Sequence, residues 1–208
     1  LAVAFLLLGQ RSSMAGELGP PLQGESKASF NPAGEERPEG MRAGLQDIEV
    51  LLGYGKAHRI FGTKDDRRQY VILNPRWGIF LTDVMGKVPY KGALELLLEP
   101  IAMFQFEPKK RYAVGLSALF RYNFWTGSKV TPFFDAGAGI MQTDFGLPEQ
   151  GSNFNFQPQV GAGLHILLNR GTALTFQYRF QHISNASTAD PNLGINSSLF
   201  LIGISFFR

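Results

Sequence analysis

Residues 111–125 read RYAVGLSALFRYNFW. Tyr112, Val114, Leu116, Ala118, Phe120, Tyr122 and Phe124 recur at every second position, and Gly115, Ser117, Arg121 and Asn123 fall between them. A period of two places one set on each face of a β-strand. A helix would scatter the same residues around its circumference.

The same rhythm extends in both directions from this stretch. Eight alternating segments lie at about 46–55, 69–81, 91–106, 111–125, 130–143, 153–168, 172–185 and 197–207. Seven carry their apolar set on even positions, as in Leu174, Phe176, Tyr178 and Phe180. The second uses odd positions: Val71, Leu73, Trp77, Ile79 and Leu81. The opposite set is polar and includes Glu49, Arg76, Glu95, Glu99, Arg121, Asp135, Gln177 and Arg179.

Alternation alone does not say which face looks inward. Lysine placement helps: Lys56, Lys64, Lys87, Lys109, Lys110 and Lys129 fall in turns. The polar face uses arginine with carboxylates instead, a pairing suited to enclosed, multiply bonded contacts. Eight strands enclose a space that side chains can just fill. The expected fold is therefore all-β: an eight-stranded antiparallel transmembrane β-barrel with a polar lumen and a lipid-facing apolar exterior. Tyr54, Trp77, Phe104, Phe106, Tyr112, Trp125, Phe133 and Phe145 are read as interfacial girdles. Pro100, Pro132 and Pro158 fit strands poorly, because each removes a ladder donor. The link near 107–110 is short where a long loop is expected.

The remaining composition narrows the classes. Of 208 residues 18% are charged, the net charge is +3, and no dense Lys/Arg patch with interleaved aromatics points to nucleic acid. No cysteine is present, and His58, His165 and His182 lack zinc-ligand spacing, so neither metal nor other cofactor is expected. Residues 1–16 resemble the remnant of an export signal, with an apolar Leu1–Leu8 and Ser13-Met14-Ala15 as a small-residue cleavage site. Residues 17–44 are rich in Gly, Pro, Glu and Ser and read as a flexible leader; 45–208 is the barrel.

Near the C-terminus stands FQHISNASTADPNLGINSSLF, residues 180–200. His182 and Ser184 continue the outward parity of Phe176, Tyr178 and Phe180. A base and a nucleophile thus point toward lipid at the end of a strand. Serine needs a neighbouring base, imidazole titrates near neutrality, and the imidazole needs a third group to hold it. A His-x-Ser pair alone is common in strands, and a polar pair at the membrane surface is the plain alternative. Asn185 follows the serine as a candidate oxyanion donor. His165 and the Glu95/Glu99 pair are expected in the luminal network with Arg76, Arg121 or Arg179. His58 is placed in a charged loop with Arg59, Lys64, Arg67 and Arg68, either solvated or attracting lipid phosphates.

His182-Ile183-Ser184-Asn185-Ala186, then Pro191-Asn192 and Gly194-Ile195, resembles the C-terminal signature of the PagL-type lipid A 3-O-deacylases, eight-stranded outer-membrane barrels with a lipid-facing Ser/His/Glu triad. The resemblance implies a serine esterase of the Gram-negative outer membrane that removes the ester-linked 3-O acyl chain from lipid A of lipopolysaccharide. It makes His182 the base, Ser184 the nucleophile and Asn185 an oxyanion support. The family's acid falls at Asn196. An amide oxygen can accept the imidazole N–H but supplies no charge, and losing the carboxylate can cost about 10⁴ in rate. Asp190 is a second candidate for the acid. Two other readings stay open: a catalytically weak or inactive structural or adhesive outer-membrane barrel, and a soluble ligand-binding barrel with its apolar face inward. Homodimer formation also stays open.

Overall fold

A computed structural model describes residues 40–60, 67–145 and 150–208. The expected export signal and most of the expected leader lie outside these residues. The described chain is all strand and turn, and its order is β1 (Gln46–His58), β2 (Gln69–Phe80), β3 (Gly92–Glu107), β4 (Arg111–Phe124), β5 (Val130–Thr143), β6 (Phe154–Phe156), β7 (Gln159–Asn169), β8 (Thr172–Ile183) and β9 (Ile195–Phe207). Each pairs antiparallel with its neighbour, and β1 pairs with both β2 and β9, which closes the ring. Both β6 and β7 pair along β5 and are successive parts of one stave, so nine strands make eight staves. Closure satisfies every ladder without leaving an edge, the condition for a sheet in lipid.

The parity reading holds. Val50, Leu52, Val114, Phe120, Phe176, Phe200 and Ile202 are exposed on the outside, and β2 does use its odd positions, Val71, Leu73 and Trp77. Asp47, Glu49, Arg76, Glu95, Glu99, Arg121, Asp135, His165 and Arg179 are buried inside. Arg76 Nε lies 2.6 Å from Glu99 Oε2, and Arg121 pairs with Glu49 and lies 3.4 Å from Asp135 Oδ2. His165 Nδ1 is 2.8 Å from Thr175 Oγ1, within this luminal network.

Three expectations need correction. The lumen is not polar throughout. Toward the end where β8 and β9 are joined, Leu51, Ile72, Ile101, Met103, Ile183, Ile195, Leu199 and Leu201 belong to an apolar plug. Parity assigns a side but says nothing of how chemistry changes along the axis. Phe133 and Phe145 are not girdle residues; they are 2% and 3% exposed. Phe133 occupies an odd position in β5, whose even positions face out, and its ring lies 4.2 Å beneath the Arg121 guanidinium. Phe145 packs on Tyr70. His58 is not in a loop but is the last residue of β1, paired with Asn196.

The prolines are accommodated locally. Pro158 separates β6 from β7, where no amide donor is required of it, and its carbonyl accepts the amide of His182 at 3.0 Å. Pro75 and Pro100 both fall in the gap in the β2–β3 register between Leu73↔Ala102 and Trp77↔Leu98, and Asn74 Nδ2 donates to Pro100 O at 2.8 Å.

Candidate active site

The site lies where β1, β8 and β9 end together. Across the outer face His182 pairs with Asn196, which pairs with His58. His182 is half-buried and Asn196 is buried. His182 Nδ1 lies 2.8 Å from Asn196 Oδ1, and Asn196 Nδ2 donates to Ile60 O at 2.7 Å. The Ile60 carbonyl can only accept, so it orients the amide with its oxygen toward the ring. Nδ1 therefore carries the hydrogen and Nε2 the lone pair. That tautomer is the one a general base needs.

Ser184 continues the outward line just past β8. Its backbone exchanges two hydrogen bonds with Phe156, at 2.7 and 3.0 Å. These bonds and the Pro158 bond to His182 hold the end of β8 against the β6–β7 stave. The Ser184 side chain is half-buried, and among the described residues its hydroxyl makes no hydrogen bond to His182. Catalytic hydrogen bonds in unliganded enzymes are often formed only with substrate.

Asn185 is buried, and its donors are engaged within the 184–194 loop. Its amide donates to Asn192 Oδ1 at 3.0 Å and its Nδ2 to Ala189 O at 2.8 Å. Ala186 and Ser187 then take left-handed backbone conformations, φ 52° and 62°, which turn the chain sharply. Asn185 thus closes the loop that frames Ser184 and presents no spare donor of its own. Asp190 is exposed in that loop, while Asn196 occupies His182 Nδ1.

Gly194 is a site residue whose role the sequence did not disclose. Its φ is +71°, and a Cβ there would stand 2.6 Å from His182 Cε1. Only glycine lets the backbone lie against the imidazole in this conformation. Gly194→Ala is expected to push the ring off Asn196 and lower activity about 100-fold. Kinetics on the refolded variant check this; an unchanged rate would show that the ring tolerates the shift.

Two further polar residues, Ser198 and Tyr178, gather beside His58 of this row. His58 Nε2 is 2.7 Å from Ser198 Oγ, and Tyr178 OH is 2.8 Å from the same atom. Even parity in β1, β8 and β9 could have found them. In the lumen Asp47, Glu49 and His165 bring ligand atoms within 4.8 Å of one another. Two cations meet this cluster: Arg76 lies 2.9 Å from Glu49, and Arg121 pairs with Glu49 and lies 3.4 Å from His165 Nε2.

The model of the family Lipid A 3-O-deacylase (PagL) matches residues 72–205. Lipid A deacylase PagL of Pseudomonas aeruginosa is 34% identical over 94 residues, 43% of this chain and 51% of that protein. The aligned stretch thus spans about half the length of the curated relative. Among solved structures, the outer membrane enzyme PagL superposes with a TM-score of 0.55 at 21% identity, covering 76% of this chain and 97% of that one. Neisserial surface protein A gives 0.54 at 15%, covering 78% and 98%. At these identities the two structures speak for the barrel fold alone. The family match spans most of the barrel and includes His182, Ser184, Asn185 and Asn196: the chain belongs to the lipid A 3-O-deacylase (PagL) family.

Proposed function

We propose that this barrel is a serine esterase of the Gram-negative outer membrane that hydrolyses the 3-O acyl ester of lipid A, with lipopolysaccharide as substrate and Ser184 as nucleophile. The observation that carries the reading is the His182–Asn196 hydrogen bond on the outward face, which frees Nε2 two residues from a serine of the same parity.

The steps follow from those atoms. Ser184 turns its hydroxyl to His182 Nε2, which takes the proton as Oγ attacks the ester carbonyl. Asn196 Oδ1 retains Nδ1–H and holds the imidazolium. The ester C–O bond breaks, and His182 gives its proton to the departing glucosamine oxygen. Water then attacks the acyl-serine, again losing a proton to Nε2; the acyl–Oγ bond breaks, Oγ takes that proton back from His182, and the fatty acid leaves. Asn185 supports the oxyanion by fixing the loop around Ser184 rather than by donating its own amide group. A catalytically weak barrel of the same fold is the second reading. Asn196 in the acid's place favours it, because an amide cannot neutralise the imidazolium.

Mass spectrometry of lipid A incubated with the refolded barrel tests the proposal. Loss of one acyl chain from position 3 is the expected result. An unchanged spectrum from folded protein moves the reading to the weak barrel.

A further inference from the structure

The rim at the other end of the barrel carries a charge pattern that the deacylation steps do not use. Each connection there holds a cation: Arg42 ahead of β1, Lys87 and Lys91 between β2 and β3, Lys129 between β4 and β5, and Arg170 between β7 and β8. Asp83 is the one acid in these connections among the described residues, and it accepts the Ala43 amide at 3.0 Å. The cations stand just beyond the last outward apolar residues, Leu81, Val130, Leu168 and Phe206, all exposed. That is the depth at which acyl chains give way to headgroups.

The longest of these connections, 81–91, adds a second pattern. It continues β2 and β3 as a hairpin, in which Met85 and Gly92 exchange two backbone bonds at 2.8 and 3.0 Å. At its tip Val88 is 78% and Tyr90 74% exposed, more than any other large hydrophobic among the described residues. The tip is tied to the outer wall of the barrel. Tyr122, on the lipid-facing line of β4, donates its hydroxyl to Tyr90 O at 2.7 Å, and its ring meets Phe124 edge-on at 5.1 Å between centroids. Trp125 donates its amide to Lys91 O at 2.7 Å, and the Lys91 ammonium lies 3.8 Å from the centre of the indole.

Aromatic and aliphatic side chains set beside lysines fit the boundary between acyl chains and charged headgroups. The indole covers one side of the Lys91 ammonium and leaves N–H donors pointing away from the ring. A phosphate oxygen suits those donors. A zwitterionic headgroup would also bring its own ammonium against the rim's cations, whereas an anionic one brings none.

We propose that the 87–91 tip and Trp125 bind an anionic phospholipid in the leaflet opposite the active site, with its phosphate on Lys87 and Lys91 and its chains along Tyr122 and Phe120. The choice of leaflet rests on the reading that the His182 end faces lipid A. Held in this way, the rim sets how deep the barrel sits, and so the level at which His182 meets the outer headgroups.

Trp125 itself reports the lipid beside it. Trp77→Phe leaves it as the only tryptophan of the chain. This barrel is refolded into phosphatidylcholine vesicles that contain a fixed fraction of brominated phosphatidylglycerol or brominated phosphatidylcholine. The bromines lie near the carbonyl end of the acyl chains and quench an indole in contact with them. Heat-modifiable migration confirms that each variant is folded. The expected result is quenching by the glycerol lipid as though it were enriched about fivefold at Trp125. The preference should shrink with added salt and vanish in Lys87→Gln/Lys91→Gln. Lys87→Gln alone, which leaves the Lys91–Trp125 contact in place, should lower the preference without changing quenching by phosphatidylcholine. Lys109→Gln/Lys110→Gln, at the opposite end, should leave it intact. Equal quenching by the two lipids overturns the proposal and leaves the rim to a soluble anionic partner. A preference that survives Lys87→Gln/Lys91→Gln, or falls as far in Lys109→Gln/Lys110→Gln, overturns it in favour of diffuse attraction by the whole barrel. No ester is cleaved in this measurement, so failure of the lipid A reading shows elsewhere, as an unchanged lipid A spectrum.

Discussion

Ser184→Ala is expected to lower acyl release from lipid A by more than about 10⁴ while the barrel still folds, since serine hydrolases lose up to about 10⁶ when the nucleophile is removed. Under the proposed mechanism His182→Gln should fall as far, because losses from a nucleophile and its base do not add. The more informative member of the series is Asn196→Glu. The amide already occupies the right place, 2.8 Å from Nδ1, so a carboxylate needs only to keep that contact and bring its charge. The expected gain is about 10²–10⁴. Asn196→Leu should take activity below wild type by leaving Nδ1–H unbonded. Acyl release timed by mass spectrometry separates these outcomes. A Ser184→Ala barrel that deacylates at the wild-type rate would remove Ser184 from the chemistry. A glutamate variant no faster than wild type would show that the site is adapted to the amide.

That adaptation has a structural basis. Asn196 Nδ2 donates to Ile60 O at 2.7 Å, a bond that a carboxylate cannot make. Glutamate would set its charge against the Ile60 carbonyl and is also one methylene longer. Part of the electrostatic gain would therefore be lost to repulsion at the end of β1, so the lower end of the range is expected if the β1 end stays in place. Asn196→Asp removes the length change and isolates the repulsion.

How far the sequence discloses this site follows from where the apolar belt ends. Parity is strict along Phe176, Tyr178 and Phe180, because an outward side chain in mid-membrane must be apolar. Counting on by two reaches His182 and Ser184, and counting back from Phe200 reaches Asn196. Above the belt the same rule weakens. Lys56 and His58 broke the apolar pattern of β1, so the segment read as ending at 55 while the strand runs to His58. The alternation fades where the polar, chemically useful outward residues begin. Gly194 was visible as a residue but not as a role, since nothing local says that an imidazole lies against it. The interior was legible only as a side. That Leu51 and Leu199 cap a lumen whose middle holds Arg121 and Glu49 depends on the stagger of all the strands.

The larger stability effect is expected from that middle layer. One guanidinium, Arg121, stands among Glu49, Asp135, Asp47 at 3.6 Å and Glu95 at 3.7 Å, with the Phe133 ring beneath it. Asp47 stands against Glu49, within 4.8 Å, as well as 3.6 Å from Arg121. Arg121→Met keeps much of the length and apolar stem but takes the paired cation from Asp47 and Glu95, whereas Glu49 keeps Arg76 at 2.9 Å and Asp135 keeps Arg179 at 3.8 Å. Removing one partner of a buried ionic group costs about 3–5 kcal/mol, and several acids share this one. Arg121→Lys should recover little, because an ammonium cannot bond in several directions within a plane. Urea titration of the refolded barrel, followed by heat-modifiable migration, measures the loss. Adding Asp47→Asn to Arg121→Met should restore part of it, since Asp47 pairs with Arg121 at 3.6 Å and their effects couple. A single variant within about 1 kcal/mol of wild type would mean that the acids are neutral without Arg121, and that the layer is held by its hydrogen bonds rather than its charges.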